Sequence, residues 1–224
     1  TGKVTIQLNT LTIDDVTGIA LQSDGKIVIC GFQVFPFSPG PPIAPATSNI
    51  FVLRLTTSGI LDTTFNSGPV LPAVPGYLYT TPADITTALS SLLACSNCSA
   101  EAIAMQTIGA TEYIVVGGAA SIYLSFSPPS TAIPWYALAR YTLSGILDTG
   151  FAVNGIRVHN TTPYTTDQFG IDLYVDSTQI LLSGVKYFNP PPLVTAKMSV
   201  VKFDGNGTLD GSFGSAGSTE IPIF

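Results

Sequence analysis

The stretch SGILDT stands at residues 58–63 and again at 144–149. With its flanks, TTSGILDTTF and TLSGILDTGF agree at eight of ten positions, and a looser third copy, GNGTLDGSF, occupies 205–213. Agreement of this length within one chain is an internal repeat. A repeat restricts the fold to units of one kind placed side by side. Aligning Asp62, Asp148 and Asp210 brings further columns into register. Eight residues before each Asp stands a base (Arg54, Arg140, Lys202), and three residues after it an aromatic (Phe65, Phe151, Phe213). The shared Asp is expected to brace its turn by pairing with that base.

Around the bases, FVLRL, ALARY and SVVKF place apolar residues on alternate positions, the period of a strand. A second strand column, KIVICG, YIVVGG and QILLSG, ends in Gly31, Gly118 and Gly184. Before it come GIALQ, AIAMQ and GIDLY, and after the aromatic come GIRVHN and GSTEIPI. Each unit is therefore four short strands with turns between them. The units run over about 13–73, 99–160 and 167–224, with closing strands near 68–73, 155–160 and 217–223. The opening residues, TGKVTIQL, are in register with the closing strands and do not read as a signal peptide. The chain is thus expected to begin inside a repeat, with residues 1–9 as an extra strand. An unpaired strand with alternating Val4, Ile6 and Leu8 is an aggregation hazard. One or other terminal strand is expected to complete a sheet in a neighbouring subunit, giving a ring or a filament.

These columns resemble the delta-60 repeat family, whose units read ALQ-DGKIVVAG followed by FALARYN-DG-LDTSFG-GG-V. The matching stretches are IALQSDGKIVICG and FVLRLTTSGILDTTFNSG with their two later counterparts, which cover most of the chain. The resemblance implies β-propeller blades and says little about a biochemical role. The expected fold is all-β: three four-stranded propeller-like units with one short helical insertion. The alternative is a β-prism-like arrangement of three sheets. Propellers usually close with four to eight blades. Three units therefore call for a second chain, for blades outside this stretch, or for the prism.

Asp62 and Asp148 are 86 residues apart, whereas Asp148 and Asp210 are 62 apart. The surplus falls in 74–98. There Thr81 reads as a helix N-cap, Pro82 as the first helical residue and Asp84 as a first-turn acid. Ile85, Leu89, Leu92 and Leu93 then form an apolar stripe, so a short helix covering a sheet edge is expected. Cys95 and Cys98 in the same segment read as a local disulfide in an oxidising compartment, with two free thiols as the alternative. Cys30, in a column that otherwise holds Gly117 and Ser183, reads as a buried inert thiol.

Charged residues make up 10% of the chain, the net charge is −6 and mean hydropathy is +0.42. Eight bases without a cluster argue against nucleic acid. No apolar run reaches the roughly 18 residues of a membrane span. Fourteen carboxylates meet a single His, His159, and no nucleophile, phosphate-loop or zinc-protease motif appears. An enzyme is not expected. Asp204, Asn206, Thr208 and Asp210 alternate as in oxygen-ligated calcium loops, but the sister copies keep only the last Asp. No cofactor is expected, with calcium at Asp204, Asn206 and Asp210 as the minor alternative. Asn97, Asn160 and Asn206 lie in glycosylation sequons.

Pro-rich loops at 32–49, 121–135 and 186–196 occupy one position in the repeat and so emerge on one side of the assembly. They hold Phe35, Phe37, Tyr123, Phe126, Trp135, Tyr187 and Phe188. Stiff aromatic loops gathered together suit partner binding at little ordering cost. The bland alternative is that they pack on one another. The expected function is a non-catalytic structural protein, extracellular or at the cell surface, that self-associates through a terminal strand and these loops. The alternative is a lectin-like module binding carbohydrate or protein.

Overall fold

Alternating apolar residues place every base-bearing segment in the interior of a sheet, third in an antiparallel meander of four. The protein is described here by a computed structural model covering residues 3, 5, 6, 12–35, 47–67, 75–89, 93–124, 132–161, 166–188 and 195–222. The first sheet comprises β1 (Ile13–Leu21), β2 (Ile27–Phe35), β3 (Thr47–Leu55) and β4 (Tyr77–Thr80). The second comprises β5 (Leu93–Ile108), β6 (Thr111–Leu124), β7 (Ile133–Thr142) and β8 (Ile156–His159). The third comprises β9 (Thr166–Val175), β10 (Gln179–Phe188), β11 (Thr195–Asp204) and β12 (Ser218–Pro222). The architecture is all-β. Each first strand is bulged at the same place, at Thr17, Glu101 and Ile171, which flips the following residues to the other face.

Each sheet has a leading face that packs on the trailing face of the next. Val28, Cys30, Ile50 and Val52 lead from the first sheet into Ile114, Val116, Ala137, Ala139 and Tyr141 of the second. Val115, Tyr136 and Leu138 lead from the second into Ile180, Leu182, Val201 and Phe203 of the third. In both cases the receiving sheet approaches with its first strand: β5 lies against β1, β2 and β3, and β9 against β5, β6 and β7. Among the described residues the sheets stand in series and do not close into a ring.

The closing strand of the first sheet is Tyr77–Thr80, not 68–73. What anchors a closing strand is a glycine after the aromatic. Gly76, Gly155 and Gly217 each donate their N–H to the carbonyl of Phe65, Phe151 and Phe213 and accept from Arg54, Arg140 and Lys202. In the first unit Gly76 stands eleven residues after Phe65, against four in the other two, and part of the surplus length lies there.

The helix α1 (Pro82–Thr87) follows β4 directly. Thr81 Oγ1 accepts from the Asp84 N–H, and the Asp84 carboxylate accepts from the Thr81 N–H, a capping box. Ile85 is buried in the core between the first two sheets, and Thr86 Oγ1 accepts from the backbone N–H of Cys95 on β5. Since β5 is an edge strand, the helix satisfies one of its outward donors. The helix is shorter than its apolar stripe: Leu93 opens β5 and Leu92 lies outside the described residues.

Cys95 and Cys98 therefore sit inside β5 rather than in the insertion, and they are not bonded to each other. An extended strand, even with the bulge after Cys95, separates their backbones by roughly 7 Å, at the limit of what a disulfide spans. Each thiol instead meets a backbone carbonyl, Asn97 for Cys95 and Thr80 for Cys98. Burial pushes the Cys30 thiol up to about 11 and that of Cys95 to about 12, and raises Cys98 further. Thiol titration should find three free thiols in denaturant and almost no reaction in the native protein. A count of one would restore the disulfide.

Candidate functional site

The repeated residues converge on the seam between consecutive sheets. Asp62 Oδ2 accepts from Arg54 Nε at 2.9 Å, Asp148 Oδ2 from Arg140 Nε at 2.7 Å, and Asp210 Oδ2 from Lys202 Nζ at 3.0 Å. The other carboxylate oxygen accepts the N–H two residues on, at Thr64, Gly150 and Ser212. The Asp thus holds its own turn and orients the base, as Asp commonly does in local turns. The base then reaches forward. Arg54 donates to the carbonyl of Leu143 and Arg140 to that of Gly205, each in the repeat turn of the next sheet. Gln106 bridges from the same face to the carbonyls of Asp176 and Gly205 and accepts from Arg140.

The aromatic completes the seam. The Arg54 guanidinium lies 4.9 Å from the Phe65 ring centre and that of Arg140 4.7 Å from Phe151, the geometry of a cation–π contact. The outer edge of each ring, its Cε and Cζ atoms, lies against a glycine of the next repeat turn. A Cβ added to Gly145 would come within 3.0 Å of Phe65, and one added to Gly207 within 2.6 Å of Phe151. Both glycines also have positive φ, +83° and +79°, so no other residue suits either the space or the backbone. Beside the ring, the Asn66 N–H donates to the Ser144 carbonyl and the Ala152 N–H to that of Asn206. The same joint occurs twice, with the same atoms.

Most other residues singled out in the sequence lie away from this seam. Asp204 Oδ1 accepts from the N–H groups of Asn206 and Thr208, which is what the Thr56 and Thr142 hydroxyls do for Ile60 and Ile146 in the sister turns. Asp204 therefore stands in for a turn threonine. Among the described residues no group of three His, Cys, Asp or Glu side chains is placed to hold a metal. Asn97 Oδ1 accepts from the Ser48 N–H and Asn160 Oδ1 from Gln168, whereas Asn206 is exposed at the seam.

Trp135 does not belong to an open binding surface. Its position opposite Ala120 on β7 turns it into the core between the first two sheets. Phe35 and Tyr123 are half-buried near the ends of β2 and β6, and Tyr187 meets Phe169 edge-on near the end of β10. Phe188 closes β10, and Phe37 and Phe126 lie outside the described residues. Ile6 packs on the trailing face of the first sheet beside Phe51 and Leu53, while Lys3, Thr5 and Ile6 are in no strand. Val4 and Leu8 are outside the described residues. Among the described residues no helix is long and apolar enough to cross a membrane.

Sequence reading missed the forward reach of the base and the ring, because both partners belong to the next repeat. The signal was present in the glycine of SGILD, which recurs three residues before each Asp as Gly59, Gly145 and Gly207. Comparison with protein-family models, curated proteins and solved structures gives no match.

Two outcomes follow from burial. Arg140 is 3% exposed, and its removal takes its hydrogen bonds from Asp148 Oδ2, the Gln106 side-chain carbonyl and the Gly205 carbonyl, of which Gly205 keeps only that from Gln106, whereas the side chain of Lys202 is 28% exposed. Arg140→Ala should cost about 3–5 kcal/mol in urea unfolding and Lys202→Ala about 0–1 kcal/mol. Equal costs would remove the seam as the basis of stability. Burial alone would raise the pKa of Asp62, but hydrogen bonds from Thr64 and the charges of Arg54 and Lys26 outweigh it and hold the carboxyl at about 2, against 3.8 in the unfolded chain. Its contribution is complete above pH 3.8 and is lost as pH falls toward 2. That is about 2 kcal/mol, and Asp62→Asn should flatten the stability profile across this window.

Proposed function

We propose that this chain is a non-catalytic structural protein, a self-associating assembly module that works outside the cell or at its surface, built of blades in the manner of a β-propeller. One observation carries the reading: in two of the three units the recurring charged and aromatic residues hold one sheet to the next. Six of the eight bases (Lys26, Arg54, Arg140, Lys186, Lys197 and Lys202) stand in ion pairs with carboxylates. A seventh, Arg157, donates to the Gly207 carbonyl across the second seam.

His159 is held neutral, its pKa lowered to about 4 by burial and then by the nearby charges of Arg157 and Lys186. The three thiols are protonated at neutral pH for the reason given above. A chain with few charges, many Thr, Ser, Gly and Pro residues and long strands suits a durable external protein. Sedimentation of the 23.4 kDa chain should show species heavier than the monomer that grow with concentration, and electron microscopy should show rings or filaments. A protein that stays monomeric at every concentration would refute the assembly reading.

A further inference from the structure

We infer that the leading face of the third sheet docks on the trailing face of the first sheet of a second copy of this chain, head to tail, remaking the seam found twice within it. The inference rests on the assembly reading and specifies its contact.

Column by column, the leading half of a third seam is open, and so is the β1 part of the trailing half. On the leading side, Phe65 and Phe151 are both 0% exposed because the next turn covers them, whereas their counterpart Phe213 is half-buried. Ile50 and Tyr136 are buried against the following sheet, and their counterpart Met198 is 49% exposed. Around it a groove of about 290 Å³ runs across the sheet between Ile171, Val185, Met198, Val200, Thr219 and Ile221. On the trailing side, Ile103 and Met105 of β5 pack on the first sheet, and Leu173 and Val175 of β9 pack on the second. The matching residues of β1 are Ile19 and Leu21, and these are 67% and 65% exposed.

The receiving element in both existing seams is the first strand of the sheet, so β1 is the strand the groove would take. Ile6 lies over the β3 part of the trailing face and leaves β1 open. The turn contacts also have their counterparts. Gly59 has φ +80°, like Gly145 and Gly207, and is half-buried where they are buried. Repeating the seam puts the Phe213 ring on Gly59 of the second copy, the Gly214 N–H at the Ser58 carbonyl and the Lys202 ammonium at the Thr57 carbonyl. The contact is heterologous, so it closes into a ring or runs on as a filament according to its rotation.

Leu21→Glu and Met198→Glu each disable one half of the contact at a position exposed in the single chain, so each should fold with an unchanged circular dichroism spectrum and melting temperature. By sedimentation velocity each variant alone should be monomeric. An equal mixture should form complexes of two chains and no larger, because each partner keeps the half that the other lacks. Ile60→Glu is the control: Ile60 is 66% exposed, and its counterpart Ile146, within an existing seam, is still 57% exposed. It should associate like the parent. If Leu21→Glu and Met198→Glu associate like the parent, or if their mixture stays monomeric, the head-to-tail contact is wrong while the assembly reading stands. A parent chain that is monomeric at every concentration overturns both.

Discussion

A phenylalanine ring seated on a glycine is the contact on which the rest of the structure depends. The ring of Phe65 or Phe151 has an arginine over its face, and its outer edge lies against Gly145 or Gly207 of the next repeat turn. Neither partner is exchangeable. A side chain at the glycine would displace the ring and strain a turn with positive φ. A smaller residue at the phenylalanine would leave the guanidinium without its stacking partner and the seam with a void. The Asp eight residues after the base serves both by fixing the turn that delivers the ring and by aiming the base. This is the physical content of the repeated SGILDT: the glycine receives the preceding sheet, and the Asp organises the grip on the following one.

The bases differ where their surroundings differ. Arg54 and Arg140 stand within seams and divide their donors between an Asp and a carbonyl of the next sheet, with Arg54 also reaching Thr64. A planar guanidinium can serve such divergent acceptors at once, whereas an ammonium acts as a point charge. Lys202 stands at the open face with Asp210, and its ammonium is 5.9 Å from the Phe213 ring centre. Burying an ion pair is not in itself strongly stabilising. What the buried pairs add is register, since a carbonyl one residue away would miss the guanidinium.

Much of the fold was legible because its signals are local. Strand alternation, the base-to-Asp spacing and the Thr81, Pro82, Asp84 cap each concern residues within a few positions of one another, and all three appear in the structure. The first closing strand was misplaced because the Asp column was used as the anchor. The strand is tied instead to Gly76 through the Phe65 carbonyl, eleven residues on, where the other two units need only four. Trp135 was grouped with loop aromatics by its neighbourhood in the chain, although strand parity directs it inward. Cys95 and Cys98 suggested a disulfide on spacing alone, and that suggestion failed once the segment proved to be extended. The seam itself crosses between repeats, and no spacing within one repeat reports it.

Units joined in series share stability unequally. Each sheet of a linear array is held by its nearest neighbours, so an interior unit has two seams and a terminal unit one. The second sheet is clamped between both cores, with Val116 and Ala139 facing one and Val115 and Leu138 the other. The third sheet rests on a single core and the Lys186–Glu220–Lys197 cluster beneath it. The first compensates on its trailing face with Ile6 over Phe51, Leu53 and Leu55, and on its leading side with α1, whose Ile85 joins the core of the first seam. The helix is thus more than filler for a long connection. It adds apolar area to a seam that lacks the glutamine bridge of the second, because Gln22, in the column of Gln106, is buried with no partner for its amide among the described residues. Two seams with the same geometric core are in this way secured by different means, one by a packed helix and the other by polar contacts from Gln106 and Arg157.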